Sequence, residues 1–160
     1  MRRHETPASP GRRAVNRKLQ TDYTGSCHCG AIGYTYRSST NPQQWSIRAC
    51  QCSFCRAHDA LSTSDPGGQI AFTAAQPELL QKYRFGLKTA DFLLCRECGV
   101  YIGAMIASAG GVFGIVNVHA LLDTPANLAA TAPISYDGED VGGRVTRREE
   151  RWTPVTERPS

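Results

Sequence analysis

Residues 95–99 read Cys95-Arg96-Glu97-Cys98-Gly99, and two further cysteine clusters stand upstream, Cys27-His28-Cys29-Gly30 and Cys50-Gln51-Cys52-Ser53-Phe54-Cys55. These three stretches hold all seven cysteines of the chain. An odd count leaves one thiol over in any scheme made only of disulfides, and a C-x-C pair cannot bridge without severe strain. Thiolate ligation of zinc accounts for the spacing. A closed structural site takes four ligands and an open one takes three plus a free position, so the seven thiols divide as four and three.

Chain topology assigns them. Cys50, Cys52 and Cys55 fall within six residues and can wrap one metal as a local unit. Cys29 and Cys95 are 66 positions apart, so a metal shared between their pairs would close a long loop, which is where a structural metal removes most chain entropy. Cys27, Cys29, Cys95 and Cys98 are therefore expected to form the closed site. Gly99, and Gly30 in the same way, would permit a positive backbone φ that turns amides toward sulfur. The remaining three thiolates leave a coordination position where zinc can hold an incoming thiol as thiolate or polarise a carbonyl oxygen. The alternative is that His28, His58 or His119 fills that position and the second site is structural too.

The pattern resembles that of the glutathione-dependent formaldehyde-activating enzyme family, which also includes the centromere protein V group. Gly25-x-Cys27-x-Cys29-Gly30-Ala31-Ile32-x-Tyr34 looks like the family's opening motif, Cys50-x-Cys52-x-x-Cys55-Arg56 like its central one, and Cys95-x-x-Cys98-Gly99 like its closing one. Val116-Asn117-Val118, Leu122-Asp123 and Trp152 extend the resemblance over about residues 22 to 155. It implies two zinc ions, a structural one on Cys27, Cys29, Cys95 and Cys98 and a catalytic one on Cys50, Cys52 and Cys55. It also implies a carbon–sulfur lyase that joins or separates glutathione and formaldehyde as S-hydroxymethylglutathione, and an irregular β-rich, tent-like fold in which zinc joins sheet edges. Gln51 stands where the family commonly has histidine.

At 160 residues and 41% hydrophobic content the chain can bury a single core. Its net charge of +4 is concentrated at one end, where six basic residues from Arg2 to Lys18 face Glu5 alone and leave the remainder near neutral. We expect a disordered basic tail over residues 1–20 and one zinc-binding domain over 21–160. Phosphate contacts need a broad basic face, so the near-neutral domain argues against a nucleic-acid partner. The absence of an apolar stretch of membrane-spanning length and of a signal-peptide core, together with reduced thiols, points to a cytoplasmic protein.

Alternating apolar residues predict strands at Ile32–Tyr36, Trp45–Ala49, Ile70–Thr73, Gln81–Phe85, Asp91–Cys95, Val100–Ile106 and Val112–Val118. Helical turns are expected at Pro77–Leu80 and Pro125–Ala130, and no long amphipathic helix. The fold class is thus mainly β with short helical turns. Beyond the ligands, Arg56 is a candidate for a glutathione carboxylate or for offsetting three thiolates, the alternative being a surface arginine. His58 and Asp59 are candidates for proton transfer or solvated loop polars. His119 and Asn117 read either as site groups or as strand-end side chains that satisfy backbone, and Phe54 as a pocket wall or core anchor. The leading function is an enzyme acting on a thiol and a small aldehyde. The alternative is a non-catalytic zinc module that binds a protein partner, for which the four-cysteine site alone would suffice.

Overall fold

The computed structural model describes residues 20–160. The disordered tail expected over 1–20 lies, Gln20 apart, outside the described residues. The rest is built mainly from strands: β1 (Thr21–Ser26), β2 (Ile32–Ser38), β3 (Ile47–Cys50), β4 (Ser62–Thr63), β5 (Gln69–Ala74), β6 (Leu80–Tyr83), β7 (Asp91–Cys95), β8 (Tyr101–Ser108), β9 (Gly111–Asn117), β10 (Thr131–Ile134) and β11 (Thr153–Glu157). Two α-helices, α1 (Ser53–Ala57) and α2 (Val141–Arg151), complete it with three single 3₁₀ turns.

The strands run in the order β1-β2-β5-β11-β9-β4-β3-β10, with β8, β7 and β6 continuing from β9. β9 pairs with β8 along its length and also with β11 at Phe113–Gly114 and with β4 at Val116–Asn117. That branching lets one strand serve two arms of the sheet. β11 lies parallel to β5 and β10 parallel to β3, while the other pairings are antiparallel.

Period-2 alternation works as expected in β2, where Ile32, Tyr34 and Tyr36 are all buried and pack in one core with Ile70, Phe72, Leu93, Ile102 and Val116. The Tyr34 hydroxyl donates to the Asn117 carbonyl oxygen at 2.8 Å, so a buried polar atom is satisfied across 83 positions of chain. Trp45 closes the 3₁₀ turn Pro42–Gln44 instead of opening a strand. Its ring meets Tyr23 and Tyr36 edge-on, at centroid distances of 4.8 and 5.4 Å.

Two local expectations are corrected. Pro125–Ala130 is not helical, because its backbone bonds elsewhere: the Ala129 amide donates to the Pro42 carbonyl at 3.0 Å. Conversely, α2 is an eleven-residue helix where none was expected. Asp140 caps its start, accepting from the Gly143 amide at 2.7 Å. The helix escaped recognition because its inner face carries Arg148 in place of an apolar residue, and Gly142-Gly143 lower its intrinsic propensity.

Candidate metal centres and the cavity beside them

The tight turn between β1 and β2 carries Cys27 and Cys29, while Cys95 ends β7 and Cys98 lies in the turn that leads to β8. Each turn has the same build. Gly30 donates to the Cys27 carbonyl at 3.1 Å and Gly99 to the Cys95 carbonyl at 2.9 Å, and both glycines sit at positive φ, +82° and +74°. The Ile32 amide points at the Cys27 sulfur, 3.4 Å away. A metal with thiolate ligands at about 2.3 Å in a tetrahedron sets its sulfurs about 3.8 Å apart. Here Cys27 and Cys29 are 3.7 Å apart and Cys29 and Cys95 3.5 Å, and all four sulfurs lie within 4.8 Å of one another. The group fits a tetrahedral metal.

The second group is assembled by a strand end and a helix start. Cys50 ends β3, Cys52 is the N-cap of α1 with its sulfur accepting from the Cys55 amide at 3.4 Å, and Cys55 lies in the first turn. A capping residue and the residue three positions on face each other, so the three sulfurs converge within 4.8 Å. Among the described residues no histidine or carboxylate joins this group. The three thiols interact strongly. A hydrogen bond from Cys55 holds Cys50 down at about 5, while that same bond, and burial after it, push Cys55 up.

These cysteines line a cavity of about 430 Å³, within the size range of small-molecule sites. Phe85, Phe92 and Trp152 supply apolar wall, and Arg48, Arg144, Arg147 and Arg148 supply charge. Gln51 also faces it and donates from its side chain to the Ala49 carbonyl at 2.8 Å.

The expected accessory residues lie elsewhere. Arg56 is exposed and does not line the cavity. His58 stacks on Phe54 with its Nδ1 2.9 Å from the Phe54 carbonyl oxygen. Asp59 and His119 are exposed and face each other at 3.9 Å, and His28 is exposed. Asn117 satisfies backbone: it accepts from Leu61 and His119 amides at 3.3 Å and donates to the Tyr101 carbonyl at 2.8 Å. Phe54 belongs to an aromatic cluster with Tyr83, Phe85, Phe92 and Tyr101.

The four arginines of the cavity were missed. A signal for three of them was present, since Arg144, Arg147 and Arg148 stand at i, i+3 and i+4, one face of a helix. Burial pushes the Arg148 pKa down to about 10, with Arg147 and Arg144 adding repulsion.

A family model described as glutathione-dependent formaldehyde-activating enzyme matches residues 22–137. A crystal structure of a Rhodobacter sphaeroides protein is similar at 28% identity with a TM-score of 0.53, covering 68% of this chain and 99% of that one. No described helix is long and apolar enough to cross a membrane.

Proposed function

The chain belongs to the glutathione-dependent formaldehyde-activating enzyme family, and from that premise we propose that it is a zinc-dependent carbon–sulfur lyase joining or separating glutathione and formaldehyde. The observation that carries this reading is the three-thiol group of Cys50, Cys52 and Cys55 on the wall of a ligand-sized cavity. A purely structural metal has no use for such an opening. Zinc held there would supply Lewis acidity and favour the thiolate form of an incoming thiol. Cys27, Cys29, Cys95 and Cys98 would hold the structural zinc, and residues 21–160 would act as one domain in the cytoplasm, where thiols stay reduced.

In the joining direction the glutathione sulfur forms a bond to the aldehyde carbon, the carbonyl π bond breaks, and the thiol proton ends on oxygen. No oxidant or reductant is needed. The chain's residues act on position and charge. The arginines of the cavity place positive charge on the same wall as the sulfurs, and Phe85, Phe92 and Trp152 keep water from part of it.

Metal analysis of reduced protein should give two zinc ions, falling to one in Cys52→Ser, with a glutathione-dependent spectral change at a cobalt-substituted site in the wild type alone. Exchange NMR should then show the protein accelerating interconversion of formaldehyde and S-hydroxymethylglutathione beyond the spontaneous rate. One zinc per chain, or two that ignore glutathione, would favour a protein-binding module instead.

A further inference from the structure

The guanidinium groups of the cavity are not equally paired. Glu139 occupies two of them, bonding Arg144 at 3.2 Å and Arg147 at 2.5 and 3.0 Å. Arg147 also lies 3.6 Å over the ring of Tyr136. Arg48 and Arg148 have no carboxylate partner among the described residues. Arg48 donates to Ser46 Oγ at 3.3 Å and Ser64 Oγ at 2.8 Å, both neutral. Arg148 donates to Thr89 Oγ1 at 2.6 Å and lies 4.7 Å over the Trp152 ring. It is only 7% exposed, and its Nε is buried with no hydrogen-bond partner.

A buried guanidinium without an anion is costly to keep; Arg148 is buried and Arg48 half-buried, and both line the cavity that the three thiols open onto. The thiols cannot neutralise the pair. Three thiolates around a dication would leave one negative charge and Glu139 supplies one more, against four guanidinium groups. The missing anion must therefore come from outside. Arginine's planar fork suits a carboxylate, which it can bind through two parallel hydrogen bonds.

We propose that Arg48 and Arg148, backed by the charged face of α2, seat a carboxylate of the thiol substrate, so that this chain selects carboxylate-bearing thiols over neutral ones. The inference rests on the thiol reading above. Three of the four arginines lie beyond residue 137, where the family match ends. Selection by charge would thus be shared between β3 and the C-terminal helix of this chain, while the cysteines carry the chemistry.

The test uses full-length zinc-loaded protein at low salt, titrated calorimetrically with glutathione, its diethyl ester, S-methylglutathione and inorganic phosphate. Arg48→Gln, Arg148→Gln and Arg148→Lys are compared with wild type, each checked by thermal unfolding. Loss of a hydrogen-bonded charge partner should weaken glutathione and S-methylglutathione by about 10- to 100-fold in either glutamine variant. The ester should bind weakly to wild type and be indifferent to the substitutions, and Arg148→Lys should recover part of the affinity. If Arg148→Gln does not fold, Arg48→Gln on β3 decides the matter. An ester that binds as well as the acid, variants that weaken both alike, or phosphate that outcompetes glutathione would overturn the carboxylate seat. Arginine-dependent binding of S-methylglutathione, with no effect of glutathione on the metal, would sink the thiol reading and leave the seat standing.

Discussion

The sulfurs of Cys29 and Cys95 lie 3.5 Å apart although 66 positions separate them in the chain. Their contact joins the β1–β2 turn to the end of β7, so a metal on the four-thiol group closes a long loop. The three-thiol group closes only a short one.

The two groups should therefore differ in what they contribute to stability. By the loop-entropy scale for a cross-link of this length, Cys98→Ser should cost about 4 kcal/mol and lower Tm by on the order of 10–20 °C. Cys52→Ser should cost less than about 2 kcal/mol, because the chain it ties is already ordered by β3 and α1. Calorimetric melting of both variants with bound metal counted would check this, and equal destabilisation would contradict the division of the sites.

The backbone of the second turn makes its own demand. A Cβ on Gly99 would meet nothing within 4 Å, so the cost of Gly99→Ala is conformational and arises from φ at +74°. We expect a loss of about 1–2 kcal/mol in urea unfolding. Gly99→Asn should lose less, since asparagine tolerates the left-handed region. An alanine as stable as glycine would mean that the turn relaxes.

Glu139 links the charged face of α2 to pH. The hydrogen bond from Arg147 is the largest influence lowering its pKa from the usual 4.5, and Arg144 adds to it. A depressed carboxylate pKa gives stability that is complete above about 4.5 and is lost as pH falls through the folded value. Wild type should thus lose about 1 kcal/mol more than Glu139→Gln on acidification from pH 6 to 3. Parallel stability–pH curves for the two proteins would show that the ion pairs contribute nothing.

Tyr101 is fully buried against the three-thiol group, and its hydroxyl has no hydrogen-bond partner among the described residues. Removing an unsatisfied buried hydroxyl while keeping the ring should relieve a desolvation penalty. Tyr101→Phe should leave metal-free stability unchanged or raise it by up to about 1 kcal/mol. A clear loss in denaturant midpoint would reveal a partner for the hydroxyl in solution.

Much of the β arrangement was legible where one face of a strand is buried. Ile32–Tyr36, Ile70–Thr73, Asp91–Cys95, Val100–Ile106 and Val112–Val118 all alternate or run apolar, and they appear as β2, β5, β7, β8 and β9. β4 and β10 were not legible. β4 is two residues long and β10 is largely exposed, so neither leaves a hydrophobic pattern, and β10 exists through its parallel pairing with β3. β1 and β11 are likewise polar strands ordered by their neighbours.

The sequence alone pointed to the two cysteine groups: each cluster is local spacing, and the entropy of closing a long loop argued for joining the outer pairs across 66 positions. It also determined the strands whose side chains must enter the core. Tertiary structure decided which charged residues surround the three-thiol group. It put Arg56 in solvent and drew Arg48, Arg144, Arg147 and Arg148 to the cavity instead. The physical reason is that helical spacing can place Arg144, Arg147 and Arg148 on one face but does not say what that face packs against, and Arg48 has no such spacing at all. The neighbours of that face are set by how α2 packs back across β8 and β9.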